Sequence, residues 1–156
     1  MECTGNLAAL YKVAEVELTY KSKVKAADRP QINSSEDAYT ILKEIWEEGK
    51  MDFVEQFKVL LLNRANRVLG FVNVSTGGVT GTVADPKVIF VAALKAHACA
   101  LIIAHNHPSG NLKPSAADET LTQKIKSAGM FLDIRLLDHL VLSSEGYLSF
   151  ADEGLL

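Results

Sequence analysis

The stretch His105-Asn106-His107-Pro108-Ser109-Gly110, followed by Pro114-Ser115-Ala116-Ala117-Asp118, gathers three residues of metal-ligand type into one short span. Two histidines at i and i+2 on a strand face the same way, with bases about 7 Å apart, so both imidazoles can converge on one ion. Pro108 ends the strand, and the turn holding Gly110 and Pro114 returns the chain to a helix whose first turn carries Asp118. Two imidazoles and a carboxylate leave the fourth tetrahedral position of a zinc ion open for water, the arrangement of a catalytic site. The chemistry expected there is hydrolysis. Zinc lowers the pKa of its water to about 7 and polarises a carbonyl, while a separate base, here a glutamate, must take the proton. Ser115, three residues before Asp118, can place a hydroxyl where an oxyanion develops. A plain structural reading also exists, with Ser115 as a helix cap and Asp118 as a first-turn acid. The joint occurrence of all these residues between an apolar strand and a helix start favours the metal.

The elements that must position them follow from periodicity. Val13 to Val24 alternates apolar and charged residues (Val16, Leu18, Tyr20) and reads as an edge strand, with Lys21, Lys23 and Lys25 protecting it against aggregation. After Asp28-Arg29-Pro30, Ser34 and Ser35 cap a helix with the stripe Ala38, Ile41, Leu42, Ile45 and Trp46, and Gly49 stops it. Phe57 to Asn63 and Val68 to Val74 form a hairpin across Asn63-Arg64-Ala65-Asn66. Asp85-Pro86 opens a helix over Lys87 to Ala98, which leads into a buried strand over Ala100 to His105. Pro114-Ser115 opens a helix over Ala116 to Ala128 closed by Gly129, and strands follow near Ile134 to Leu142 and Tyr147 to Phe150. The sum is an α/β sandwich without internal repeats.

Composition bounds the partners. The chain has 156 residues, 48% of them hydrophobic, which suits one domain with a sizeable core. We divide it into a 1–30 extension with the edge strand and a 31–156 domain. Sixteen Lys plus Arg against nineteen Asp plus Glu give a net charge of -3, so no basic excess marks a polyanionic partner. Cys3 and Cys99 form no Cys-x-x-Cys pair, and the absence of any need for a disulfide suggests a reducing compartment. Met1 to Tyr20 lacks the apolar block of a secretory signal, and the apolar run Val88 to Ala104 is broken by Lys95 and His97. We expect a cytoplasmic protein with no membrane partner. The Ser75 to Thr82 segment lacks the Gly-Lys-Ser/Thr ending of a phosphate loop and reads as a flexible loop near the cleft.

His105-x-His107, ten residues, then Asp118, with Ser115 three before it, resembles the JAMM (MPN+) metalloprotease signature. The surrounding phrase resembles the bacterial RadC-like branch of that family. The likeness runs from about Val13 onward. It takes in Phe57 to Asn63, Ser75 to Val79, Ala104 to Gly110, Leu137-Asp138-His139-Leu140 and Gly146 to Phe150. It implies a JAMM/MPN-type, cytidine-deaminase-like mixed β-sheet flanked by helices, and one zinc per chain held by His105, His107 and Asp118. The base of the family precedes an apolar strand, which here is Glu55 ahead of Gln56-Phe57-Lys58-Val59-Leu60-Leu61-Leu62. Glu47, Glu48 and Asp52 compete with it and are read as surface acids. An alternative alignment has the family's acid where Asn73 stands, and is set below Glu55. The expected function is a zinc-dependent metallopeptidase cleaving a peptide or isopeptide bond of an unidentified peptide or protein substrate.

Two other functions stand beside this one. A DNA-repair or recombination accessory protein rests on the family name, and nucleic acid is a possible partner with weak support from these residues. A non-catalytic MPN binding module conflicts with the intact triad. There is no His-Glu-x-x-His of a zincin and no Pro-Cys-x-x-Cys of a nucleobase deaminase. His139 and His97 read as structural histidines outside the metal set, and Cys99 as a buried thiol.

Overall fold

The computed structural model describes residues 12–17, 19–78 and 83–156. Among the described residues, three α-helices, α1 (Ser35–Ile45), α2 (Pro86–Lys95) and α3 (Ala116–Phe131), accompany five strands. The strands are β1 (Gln56–Leu62), β2 (Val68–Thr76), β3 (Ala100–Asn106), β4 (Arg135–Leu142) and β5 (Tyr147–Ser149). They form one mixed sheet in the order β2-β1-β3-β4-β5. All pairs are antiparallel except β3 with β4, which α3 joins by a crossover.

Every residue of β1 and β3 is buried, because both strands lie inside the sheet with helices on both faces. On one face Phe57, Val59 and Leu61 of β1 and Leu101 and Ile103 of β3 pack with α2 and α3 residues Ile89, Phe90, Ala93 and Ile125. On the other, Leu60, Leu62, Ile102, Leu140 and Leu142 pack against Ala38 and Leu42 of α1. The chain is therefore an α-β-α sandwich, as its periodicity predicts.

Several details depart from expectation. No strand forms in the described part of Val13 to Val24, and Leu18 lies outside the described residues. Val13 and Val16 are exposed, so the alternation there finds no sheet face on which to bury its apolar half. α1 ends at Ile45 rather than at Gly49, since Trp46 takes an extended backbone and turns its ring over the Lys58 Nζ, 4.9 Å away. α2 stops at Lys95, and His97 beyond it has a positive φ of 56° and stacks on Tyr20. Gly129 sits inside α3 rather than ending it. A Cβ there would come 2.2 Å from the Ile134 carbonyl oxygen, so glycine is required by close approach of the chain entering β4. Of the glycine-rich loop, residues 79–82 lie outside the described residues, as does Cys3.

Candidate metal centre

His105 and His107 stand at the end of β3, one inside the strand and one just past it. The His107 N–H still donates to the Leu142 carbonyl at 2.9 Å, which keeps the i, i+2 pair on one face of the sheet. Asp118 comes from the first turn of α3. A capping box holds it: the Asp118 N–H donates to Ser115 Oγ at 3.1 Å, and the Ser115 N–H donates to Asp118 Oδ2 at 2.7 Å. One carboxylate oxygen is thus tied to the backbone, and the other faces His105 Nε2 at 3.4 Å.

The three side chains meet. His105 Nε2 lies 3.0 Å from His107 Nε2, and Asp118 Oδ2 lies 3.9 Å from His107 Nε2. One ligand atom from each residue falls within 4.8 Å of the others. The His107 tautomer is fixed by a partner that can only accept: its Nδ1–H donates to the Asn111 carbonyl at 2.5 Å. The Nε2 lone pair is left pointing into the cluster. The donor set, nitrogen and carboxylate oxygen with an open side, fits zinc. Burial pushes the Asp118 carboxyl up. The hydrogen bond and charge of the His105 ring, with the two Ser115 bonds, outweigh this and hold it well below the usual carboxylate range.

Glu55 is half-buried and leads into β1, with its carbonyl accepting from the Gly77 N–H at 2.8 Å. The β1–β3 register pairs Phe57 with His105, so its continuation sets Glu55 opposite His107 and on the same face. Its carboxylate makes no hydrogen bond or ion pair with the three ligands among the described residues. Ser115 is exposed, and its oxygen caps α3. Asn73 is the acceptor of a short hydrogen bond from Lys58 Nζ, on the α1 side of the sheet. Asn73 therefore lies on the sheet face away from the three ligands.

Asn106 and Thr122, both near the centre, are not singled out by the sequence, whereas His139 lies outside the ligand cluster as its sequence context predicts. Asn106, between the histidines, is wholly buried on the other face. Its Oδ1 accepts the Gln56 N–H at 2.7 Å, and its Nδ2 donates to the Met51 and Val54 carbonyls at 2.8 and 2.9 Å. It therefore clamps the segment bearing Glu55 to the strand bearing the histidines. His139 of β4 stays outside the ligand set yet touches it, with Nε2 2.8 Å from His105 Nδ1 and Nδ1 2.6 Å from Thr122 Oγ1. Burial, with His105 next, pushes its pKa well below the imidazole range. Thr122 lies one turn after Asp118, and the i, i+4 spacing was its only available mark. Cys99 is half-buried rather than buried and precedes β3 at the end opposite His105, which excludes it as a ligand.

No helix among the described residues is long and apolar enough to cross a membrane. A family model described as the RadC-like JAB domain matches residues 32–155. A UPF0758 protein of Flavobacterium johnsoniae is 41% identical over 152 residues, covering 97% of this chain and 65% of the relative. One of Porphyromonas gingivalis is 48% identical over 103 residues, 65% of this chain and 45% of the relative. One of Leptothrix cholodnii is 40% identical over 144 residues, 92% of this chain and 64% of the relative. The chain spans no more than 65% of the length of these relatives.

Proposed function

The chain belongs to the RadC-like JAB domain family, within the JAMM/MPN superfamily, and on that premise we propose that it is a zinc-dependent hydrolase of a peptide or isopeptide bond. The observation that carries this reading is the convergence of His105 Nε2, His107 Nε2 and an Asp118 oxygen at one point. These three residues would hold the zinc. When bound, it would supply Lewis-acid polarisation of the scissile carbonyl and an acidified water.

Glu55 is the general base. It takes a proton from the attacking water and passes it to the nitrogen that leaves when the C–N bond breaks. Continuation of the β1–β3 register sets it opposite His107, on the side of the three ligands. The Ser115 hydroxyl, at the rim beside Asp118, donates to the oxygen that becomes negative during attack. Asn106 keeps base and ligands in fixed relation.

The test combines metal content with cleavage of a panel of peptides and lysine-linked isopeptides. About one zinc per chain is expected in the wild type, lost in His105→Ala and His107→Ala. Glu55→Gln should keep its zinc and lose roughly 100-fold or more in cleavage. A Glu55→Gln variant that cleaves like the parent would remove Glu55 from the mechanism, and a wild type that binds no zinc at neutral pH would remove the enzyme reading.

A further inference from the structure

We propose that a cavity beside the start of α1 is a second ligand site, one that takes a small organic ammonium ion. The cavity measures about 180 Å³ and lies between the first turn of α1, β4 and the turn after β5. Ile32, Ile102 and Leu137 make its apolar walls, and Asn66, Asp138 and Asp152 stand among its polar residues. On β3, Ile102 faces away from Leu101 and Ile103, so the cavity lies on the opposite face of the sheet from His105. Asn66 brings a side-chain oxygen, Oδ1, that is shut off from solvent and has no hydrogen-bond partner. A shielded acceptor left unpaired costs free energy, and a donor inside the cavity removes that cost.

The only charges on the walls are the two carboxylates, and neither forms an ion pair among the described residues. Both are fixed in place. Asp138 is buried; its Oδ1 accepts the His139 and Ala151 N–H groups at 2.7 and 3.0 Å, and its Oδ2 accepts the Ser149 hydroxyl at 2.6 Å. The Ser149 oxygen accepts in turn from the Asp152 N–H at 3.1 Å, which ties the two acids together. The Ser35 hydroxyl donates to Asp152 Oδ2 at 2.5 Å, and the Tyr147 hydroxyl donates to the Ser35 oxygen at 3.1 Å. Asp152 Oδ1 is left without a hydrogen bond among the described residues. An anion finds no donors at the adjoining helix start, because Asp37 Oδ2 already accepts the Asn33 and Ser34 N–H groups at 2.8 and 3.1 Å. A calcium ion wants about six to eight oxygens, whereas here three aliphatic side chains face the acceptors. Fixed carboxylates, an unpaired carbonyl and an apolar wall together match an ammonium group carried on a short hydrocarbon chain.

The experiment titrates the full chain with n-butylammonium chloride at about pH 7, where an alkylamine is protonated, and follows the backbone amides by NMR at fixed ionic strength. Saturable shifts are expected at Asn66, Ala151 and Asp152, with His105 and His107 unmoved. At the same concentrations n-butanol, the same chain without the charge, and butyrate should leave these amides in place. Asp152→Asn and Asn66→Gly should each weaken the ammonium ion about 10-fold or more, the loss of one hydrogen bond between acceptor and charged donor. Glycine suits the left-handed backbone at Asn66, φ 55°, and asparagine keeps an acceptor for Ser35, so both variants preserve the wall. Shifts that never saturate would overturn the proposal, as would folded variants that bind like the parent. Equal binding of n-butanol would leave the carboxylates without a role, and displacement of butylammonium from these amides by calcium chloride would make the site one for an inorganic cation; either result overturns it too.

Discussion

Lys58 carries an ammonium group into the core on the face away from the candidate metal centre, with no exposed surface. Its Nζ donates to Asn73 Oδ1, lies over the Trp46 ring, and stands 3.9 Å from Glu47. Burial lowers its pKa from the ordinary lysine value, and Glu47 only partly opposes this. The folded state therefore holds this proton less tightly than the unfolded chain, which binds more protons between the lowered pKa and 10.5. Stability must rise with pH through that window. Lys58→Met removes the titrating group. Urea unfolding at points from about pH 7 to about pH 10 should show a rising curve for the wild type and a flatter one for the variant. Near neutral pH the variant should be more stable by about 1 kcal/mol. A wild-type curve that is flat over that range would contradict the assignment. In sequence Lys58 is only a polar interruption of an apolar strand, and its partner becomes visible once β1 and β2 are in register, Lys58 opposite Asn73.

Two helices of this chain begin with the same device. Ser34 with Asp37 caps α1, and Ser115 with Asp118 caps α3, each serine oxygen accepting the N–H three residues on. The local physics is identical, so Ser34→Ala and Ser115→Ala should each cost about 1 kcal/mol in chemical denaturation. Only Ser115 borders the metal ligands, so only Ser115→Ala should also slow cleavage, by roughly 100-fold if its hydroxyl faces the oxyanion. Zinc should be largely retained, because the bond that aims Asp118 comes from the Ser115 backbone N–H. Equal activity in the two variants would reduce Ser115 to a cap. This also marks what was legible at the scale of elements. Ser34-Ser35 and Pro114-Ser115 were legible as helix starts, and the two histidines ahead of Asp118 were the mark that separated a candidate ligand from an ordinary capping acid. Gly129 shows the reverse: it read as a helix stop, while its cause is the Ile134 carbonyl, a contact formed by tertiary approach alone. The Val13 to Val24 alternation failed likewise, because alternation predicts a strand only where a sheet can receive it.

At the scale of the molecule, the centre is a meeting of elements that the sheet order dictates. β3 brings His105 and His107, the first turn of the crossover helix α3 returns Asp118 to the same end of β3, and β1 leads in Glu55 on the neighbouring strand. The ligand spacing was readable because all three residues span one strand-to-helix turn. The Asn106 clamp and the His139 contact were not, since their partners lie far along the chain and only strand pairing brings them together. A site assembled this way exists only in the folded chain, so a metal that fills it must stabilise the whole fold by mass action. With free zinc about 1,000-fold above its dissociation constant, the gain is about 4 kcal/mol. For a chain of this size that corresponds to a rise in midpoint temperature of roughly 8 to 16 °C. Calorimetric melting of the metal-free chain, the zinc-loaded chain and the loaded chain after a chelator should show the rise and its reversal, and His105→Ala should show neither. Identical melting of all wild-type samples would mean that the three converging side chains hold no zinc, and that their mutual approach is sustained by hydrogen bonding within the fold alone.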